Sequence, residues 1–338
     1  MLPASTHPAS VVRSRPATRE AEARLPTQVT RFTTTILVAL VLLLAAPAAE
    51  AANPVLGIAD QKASTFTSGQ FKSLHVKRTR YIVPWNVALI PAQRAKFDLW
   101  YTAARDAGVR EVLIAFNASA GSRCPARPCS LPSVRSYTRA FRAFHRRYKR
   151  IRTIQPWNEA NSPTQPTGPW RRGARAAALY YNAVRRWCRH CTITAADVLD
   201  LSRRAMGRWI HQFRRYAKGK PRLWGLHNYT DANRRSGMTA AFLRMVPGKV
   251  WLTETGGIVA FREASGRVRF AFSEHRAASA LRRMFAIARK YRARTARLYV
   301  YQWSIDFSGN RFDAGLVRAD GIARPGYYVV RHYRRWIR

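Results

Sequence analysis

The chain has 338 residues, with 60 Lys and Arg against 17 Asp and Glu, so its formal net charge is +43 at pH 7. This charge predicts electrostatic adhesion to an anionic polymer, such as a cell-wall polymer, through counterion release. No zinc-finger, helix-turn-helix or RNA-binding signature accompanies the charge, which argues against a specific nucleic-acid partner. The simpler interpretation of most of this positive charge is a compositional preference for arginine on solvent-exposed helix faces.

The first 52 residues have the order of a secretory signal peptide. An unbroken apolar run at 36–46 is too short to span a bilayer comfortably, and arginines that include Arg13, Arg15, Arg24 and Arg31 precede it. A small-residue site at 49–51 follows, and we expect cleavage there. The charged region before the run is long, which leaves two alternatives. Either the start codon is placed too far upstream, or the segment is a membrane anchor that is not cleaved. We therefore predict one domain over 53–338 that is secreted, or held at the cell surface if the leader stays.

Eight short apolar runs alternate with amphipathic stretches along this domain. The runs are 54–60, 80–86, 111–117, 153–159, 192–198, 222–228, 250–254 and 298–304. Such runs are typical of strands buried on both faces of a parallel sheet. Helical spacing of apolar residues is clearest around 97–104, 137–148 and 277–288. The pattern predicts an α/β fold, a single (β/α)₈ TIM barrel. A doubly wound open sheet is the alternative, but no glycine-rich phosphate loop opens the first helix.

The four cysteines form two close pairs, Cys124 with Cys129 and Cys188 with Cys191. In an oxidising compartment, pairing within each couple is simplest, which predicts two disulfides that staple surface loops. A zinc site built from both couples and His190 is the alternative. Four residues rather than two separate the first couple, which argues against zinc.

Two glutamates, Glu159 and Glu254, each lie at the end of a strand-like run, in a domain with only five glutamates. Their separation of 95 residues is close to three barrel repeats of about 36 residues each. They therefore follow strands four and seven, whose carboxyl ends face each other across a barrel mouth. Two carboxyl groups about 5 Å apart suit cleavage of a glycosidic bond with retention. The alternative is two structural carboxylates, one capping a helix and one paired with an arginine.

These segments resemble the (β/α)₈ retaining glycoside hydrolases of clan A, the cellulase- and xylosidase-like superfamily, over essentially all of 53–338. The motif Trp-Asn-Glu at 157–159 is similar to the acid/base segment of that clan, and Thr-Glu-Thr at 253–255 is similar to its nucleophile segment. The resemblance implies that Glu159 is the acid/base and that Glu254 is the nucleophile.

The same resemblance implies roles in substrate binding. Asn158 would bind a sugar 2-hydroxyl, and Trp303 would form the aromatic platform beneath the bound sugar. His227 and Tyr229 resemble the His-x-Tyr motif of the clan, in which the tyrosine holds the nucleophile.

Further candidates follow other predicted strands. Arg80 is the nearest match to the strand-two arginine of the clan, although it is early in its strand, and Asn117 replaces a histidine found in many relatives. Asn117 is also a candidate for binding sugar hydroxyls, and Trp85 for stacking on a sugar ring. Polar residues with similar positions, each equally able to cap a helix or bond a loop, are Asp60, Asn86, Asp197 and Asp200.

The resemblance implies a monomeric enzyme that hydrolyses O-glycosidic bonds of a polysaccharide or glycoside by double displacement. Its partner would be a carbohydrate substrate, and it would need no cofactor and no metal. A non-catalytic glycan- or cell-wall-binding protein on the same barrel is the alternative. Transglycosylation is a further possibility within the enzyme class, since either water or a sugar can intercept the intermediate.

Overall fold

The computed structural model describes residues 52–118, 130–305 and 311–337. The strands are β1 (Val55–Ala59), β2 (Arg78–Pro84), β3 (Glu111–Asn117), β4 (Thr153–Gln155), β5 (Thr192–Ile193), β6 (Asp197–Leu199), β7 (Leu223–His227), β8 (Lys249–Thr255), β9 (Ala260–Arg262), β10 (Val268–Phe270), β11 (Thr295–Tyr301) and β12 (Phe312–Asp313). The helices are α1 (Gly69–Ser73), α2 (Pro91–Asp106), α3 (Val134–Arg147), α4 (Arg172–Trp187), α5 (Arg203–Tyr216), α6 (Tyr229–Arg234), α7 (Met238–Met245), α8 (Glu274–Lys290) and α9 (Pro325–His332). Short 3₁₀ turns cover Ala63–Thr67, Val87–Leu89 and Arg334–Trp336.

Nine of these strands form one parallel sheet in the order β5-β4-β3-β2-β1-β11-β8-β7-β6. Its two outer strands, β5 and β6, are halves of the same chain segment. Just after β5, the N–H of Thr194 donates to the carbonyl of Ile154 in β4. The N–H of the next residue, Ala195, donates to the carbonyl of Leu223 in β7. The segment thus bonds to both neighbours, and the sheet closes into a barrel. The strands β10, β9 and β12 form a separate, small antiparallel sheet in that order.

The barrel confirms the predicted (β/α)₈ fold class. Each predicted apolar run overlaps a strand, and the three predicted helical stripes lie on α2, α3 and α8. Two runs differ in detail. The fifth is divided between β5 and β6 because the chain changes its pairing partner there. The fourth ends at Gln155, four residues before Glu159, because Pro156 has no N–H to continue the ladder.

The helices follow amphipathic patterning and local caps. In α3, Tyr137, Phe141 and Phe144 face the core, while arginines occupy the opposite side. The Ser133 hydroxyl accepts a hydrogen bond from the N–H of Ser136 and so satisfies one unpaired donor at the start of this helix. Among the residues that the structure describes, no helix is both long and apolar enough to cross a membrane.

The predicted pair Cys188 and Cys191 forms a disulfide just after α4. The sulfurs lie close to His145, a grouping that has the composition of a metal site. Because both sulfurs are used in the disulfide, the zinc alternative is wrong for this couple. Cys124 and Cys129 lie outside the described residues, as does the predicted signal peptide up to residue 51.

An apolar layer fills the middle of the barrel. It consists of Ala59, Leu113, Trp251 and Tyr299, all nearly fully buried. Gly57 in β1 is part of this packing, since the ring of Tyr299 occupies the space that a side chain at 57 would need. The layer separates the two ends of the barrel interior.

We expect Gly57→Ala to lower the free energy of unfolding by about 1–3 kcal/mol, the usual cost of overpacking. A Cβ at this position would lie 2.6 Å from Cδ1 of Tyr299, whose ring is confined inside the barrel. Denaturant unfolding measures the change. The control is Gly69→Ala in α1, where an added Cβ meets nothing within 4 Å, so its stability should stay equal or rise slightly. Equal stabilities for both variants would contradict this account of the interior.

Candidate active site

Glu254 faces the barrel interior because β8 contains a bulge. Two consecutive residues of β7, Leu226 and His227, pair with residues of β8 that are two positions apart. The strand β8 therefore carries one extra residue, Thr253. In a regular strand, the alternation that points Trp251 into the barrel would point Glu254 outwards. The bulge turns the carboxylate towards the carboxyl ends of the strands instead.

Two donors hold the Glu254 carboxylate. Nη1 of Arg80 donates to Oε2 over 2.6 Å, and the Tyr229 hydroxyl donates to Oε1 over 3.2 Å. Burial raises the pKa of Tyr229 well above its ordinary value, and the nearby Glu254 charge adds to this effect. The tyrosine therefore keeps its proton and acts as a hydrogen-bond donor.

Arg80 is fully buried and joins four segments of the barrel. Besides Glu254, its guanidinium donates to Oε1 of Gln155 over 2.7 Å and to Oδ2 of Asp197 over 3.0 Å. It also donates to Oδ1 of Asn158. Burial by itself would lower the pKa of Arg80, but the charges of Glu254 and Asp197 outweigh it and raise the pKa above its ordinary value. The guanidinium therefore stays charged inside the barrel.

His227 and Asp197 form a second buried ion pair. Nε2 of His227 lies 2.8 Å from Oδ2 of Asp197, and neither side chain is exposed. Burial opposes the charge on both groups, but their mutual attraction is stronger. It lowers the pKa of Asp197 below its usual range and, with the Glu254 charge, raises the pKa of His227 to about 10. His227 is thus an imidazolium at neutral pH.

Glu159 lies at the open side of this network. Nδ1 of His227 donates to its Oε1 over 3.2 Å, and the Glu159 side chain keeps 24% of its surface exposed. One of its carboxylate oxygens is within 4.8 Å of an oxygen of Glu254. The two carboxylates therefore lie close together, and His227 contacts both Glu159 and the buried Asp197.

The backbone at Glu159 is left-handed, with φ of 43°. For a residue with a Cβ, this conformation costs on the order of 1–2 kcal/mol. Neighbouring backbone bonds hold it in place: the N–H of Asn158 donates to Phe116 of β3, and the N–H of Ala160 donates to Asp197 of β6. A strained residue fixed from both sides at a site of converging charges is typical of functional positions.

Trp303 does not lie where the resemblance implied. Its side chain is 2% exposed, and its ring packs edge-on against Phe71 and Tyr327 in the core. It cannot stack on a sugar in this position, so the predicted platform role is wrong. Tyr301, two residues earlier, lies near Glu254 in addition to Tyr229. Burial, together with the Glu254 charge, raises the pKa of its hydroxyl.

The other two predicted substrate-binding residues lie at the end of β3 and in the segment after β2. The ring of Trp85 is partly exposed and stacks on Tyr137 at 6.5 Å, and the backbone N–H of Trp85 donates to the carbonyl of Asn117. Oδ1 of Asn117 is buried and has no hydrogen-bond partner among the described residues. Neither side chain is part of the Arg80 network.

Sequence reasoning missed the central part of the network. Asp197 was expected only as one of several sugar-binding or capping residues, and Gln155 was not singled out. The signal was present: each is a polar side chain within an otherwise apolar strand-like run, as is Arg80. A buried polar side chain in a barrel strand needs a partner, and in this barrel Arg80 donates to both Gln155 and Asp197.

Glu159, His227 and Glu254 also have the composition of a metal site, with one ligand atom each within 4.8 Å of the others. The charges argue against a cation there. Both nitrogens of His227 face carboxylates as donors, so neither offers a lone pair. Arg80 already neutralises Glu254 at 2.6 Å. The residues present therefore fit an organic ligand better than a metal ion.

No protein-family model and no curated protein sequence matches the chain. Solved structures do match. Xylanase B from Clostridium stercorarium F9 has a TM-score of 0.59 at 15% identity, covering 82% of this chain and 96% of that one. A GH10 endoxylanase from a sugarcane soil metagenome has a TM-score of 0.58 at 13% identity, covering 83% and 97%.

A third match is the β-glucosidase from Thermotoga maritima in complex with azafagomine, with a TM-score of 0.52 at 13% identity, covering 78% and 84%. These likenesses confirm the resemblance at the level of the fold. The chain has the barrel fold of clan A glycoside hydrolases.

We expect His227 to titrate near pH 10 rather than near its ordinary value of about 6.5. Because the folded-state pKa is the higher one, the stabilisation is complete below about pH 6.5 and is lost as the pH rises through 10. The free energy of unfolding should therefore fall over that range. Imidazole C–H resonances in NMR spectra measure the titration, and denaturant unfolding at several pH values measures the stability.

Asp197→Asn is the matched variant for this prediction. It removes the main counter-charge, so the pKa of His227 should fall and the stability at pH 7 should drop by about 3–5 kcal/mol, as for a broken buried ion pair. His145 is an internal reference, because burial and the Arg152 charge lower its pKa. A His227 that loses its proton together with His145 would contradict the ion pair.

Proposed function

We propose that the protein is a retaining glycoside hydrolase that cleaves O-glycosidic bonds of a polysaccharide or glycoside. One observation carries the proposal: Glu159 and Glu254 present carboxylate oxygens within 4.8 Å of each other, with different partners behind each. Retaining enzymes need carboxyl groups about 5–5.5 Å apart, whereas inverting enzymes need about 6.5–9.5 Å to fit a water molecule. The separation of the Glu159 and Glu254 carboxylates therefore supports retention of the anomeric configuration.

The partners suggest which carboxyl group does what. Glu254 is buried and receives donors from Arg80 and Tyr229, which suits a carboxylate that attacks the anomeric carbon. Glu159 is partly exposed at the edge of the network, where a leaving group or a water molecule can reach it. In the first step Glu254 forms an ester bond to the sugar while Glu159 protonates the departing oxygen. In the second step Glu159 takes a proton from water, which attacks the ester and releases Glu254.

Charge coupling lets Glu159 serve in both steps. While Glu254 is negative, a proton on Glu159 removes the repulsion between two neighbouring carboxylates. When Glu254 becomes an ester, this repulsion disappears, while Nδ1 of His227 still donates to Glu159. Glu159 then becomes the base. The fixed charges of Arg80, His227 and Asp197 hold both carboxylates in position throughout, without having to reorganise.

Aromatic rings beside Glu254 are suited to a sugar. Tyr301 stacks on Phe312 at 6.3 Å, and Phe312 meets Tyr229 edge-on at 5.4 Å. The structural neighbours carry the names xylanase and β-glucosidase, so β-xylosides and β-glucosides are the first substrates to try. Secretion, from the leader-like segment, and a monomeric state remain part of the proposal.

The test uses 4-nitrophenyl and 2,4-dinitrophenyl β-xylosides and β-glucosides. Glu254→Gln removes the nucleophile and should lower kcat on both leaving groups by roughly 10⁴-fold or more. Glu159→Gln should lower kcat far more for 4-nitrophenyl than for 2,4-dinitrophenyl substrates, because the latter group leaves without a proton. NMR of the first product then reports the anomeric configuration.

The control is Glu263→Gln, a partly exposed glutamate that pairs with Arg269 and forms no bond to the Arg80 network in the described part of the chain. It should keep kcat within about twofold of the original, as most surface changes do. Full activity in either active-site variant would sink the assignment, and inversion at the anomeric carbon would replace retention. Tight glycan binding without turnover by the unmodified protein would favour the non-catalytic alternative.

We expect Tyr229→Phe to lower kcat by roughly 100–1,000-fold, as for loss of one donor to a reacting group. The change keeps the ring, which packs against Phe312, and removes only the hydroxyl that donates to Oε1 of Glu254. Pre-steady-state kinetics on a 2,4-dinitrophenyl glycoside separate formation of the ester from its breakdown. Tyr101→Phe on α2, far along the chain from the site, is the matched control. An unchanged rate of ester formation in Tyr229→Phe would show that the hydroxyl does not position Glu254.

A further inference from the structure

A basic cavity opens at the amino-terminal ends of β2, β3 and β4, the end of the barrel opposite to Glu159 and Glu254. We call it the basal cavity. Its volume is about 380 Å³, and its lining residues are Lys77, Arg78, Arg110, Glu111, Arg152 and Thr153.

The lining follows from a repeated sequence feature. A basic residue immediately precedes each of the three strands: Lys77 before β2, Arg110 before β3 and Arg152 before β4. Because parallel strands begin at the same end of a barrel, the three cations converge. The carbonyl of Lys77 accepts hydrogen bonds from the N–H groups of Arg110 and Glu111, over 2.9 and 3.1 Å. This backbone link fixes Lys77 next to Arg110.

Glu111 is the one carboxylate of the lining, and other groups already occupy both of its oxygens. Oε2 accepts from Nε of Arg78 over 3.3 Å. Oε1 accepts from the hydroxyl of Thr153 over 2.9 Å and from Nη1 of Arg297, whose guanidinium lies 4.1 Å above the ring of Trp251. Glu111 therefore serves Arg78 and Arg297.

The remaining three cations have no such counter-charge. Lys77, Arg110 and Arg152 form no ion pair with a carboxylate in the part of the chain that the structure describes. Like charges held around a concave surface repel one another, and a multivalent anion between them would remove that repulsion. The apolar layer of Leu113, Trp251 and Tyr299 separates this cavity from the candidate active site.

We propose that the basal cavity binds an anion that carries two or more charges on phosphate groups. Guanidinium groups donate in a planar fork that matches phosphate oxygens, and lysine adds a point charge. A single carboxylate has too little charge to balance three cations. The volume is within the range of small-molecule sites, about 300–1,000 Å³, and leaves room for more than one phosphate group. This site does not depend on the proposed hydrolase activity.

The experiment measures binding of inorganic tripolyphosphate to the full chain by isothermal titration calorimetry. The variant Lys77→Ala/Arg110→Ala/Arg152→Ala should raise Kd about tenfold or more, a loss typical of several charge-assisted contacts. The control, Lys72→Ala/Arg139→Ala/Arg214→Ala, removes the same charge from three separate exposed positions. It should keep Kd within about twofold, since distant surface charges are largely screened.

The outcomes separate a site from the diffuse positive charge of the protein. Equal loss of binding in both triple variants, or no binding by the original protein, would overturn the proposal. Citrate binding as tightly as tripolyphosphate would also overturn it, because the site would then not select phosphate. A poly(glycerol phosphate) that competes with tripolyphosphate would support a polymeric source of phosphate, and tripolyphosphate binding without such competition would support a free phosphate compound.

Two further variants keep the two sites apart. Glu254→Gln should leave tripolyphosphate binding unchanged, and the basal triple variant should leave glycoside turnover unchanged. If Glu254→Gln abolished anion binding, the anion would be bound at the barrel mouth, which contradicts the proposed location. If no glycoside is turned over by any form of the protein, the result for the basal cavity still stands.

Discussion

The charge of Arg80 is the constraint on which the upper half of the barrel depends. A guanidinium without solvent contact is tolerated only when its charge and its donors find partners. The barrel supplies Gln155 from β4, Asp197 from β6 and Glu254 from β8, and the loop after β4 supplies Asn158. One side chain thus fixes the relative positions of four strands and one loop at the site where the two carboxylates meet.

His227 extends the same balance of charge. With Arg80 it contributes two buried positive charges, and Asp197 and Glu254 contribute two negative ones. Glu159 remains at the edge, bonded to His227 but partly open to solvent. The buried half of the network is therefore neutral without Glu159.

Irregular backbone places both carboxylates. A bulge in β8 turns Glu254 inwards, and a left-handed residue sets Glu159 beside it. Regular strands alone would have pointed these side chains elsewhere. Below them, the apolar layer around Trp251 isolates the ion pairs of Glu111 at the other end. The barrel thus carries two charged ends with an apolar layer between them.

The sequence by itself determined the fold class and the rough location of the site. Buried parallel strands require continuous apolar runs, and helices require stripes, so both patterns are visible in one dimension. Spacing of 95 residues was enough to assign Glu159 and Glu254 to opposite sides of a barrel.

Only the tertiary structure decided which neighbours surround them. Trp303 follows β11 and turned out to pack in the core, while Tyr301 took the place beside Glu254. The bulge at Thr253 and the partners of Arg80 depend on how adjacent strands register, and register is a property of paired strands rather than of one. Local patterns predict which residues are buried, but the partner of a buried charge is chosen by strands far away in the chain.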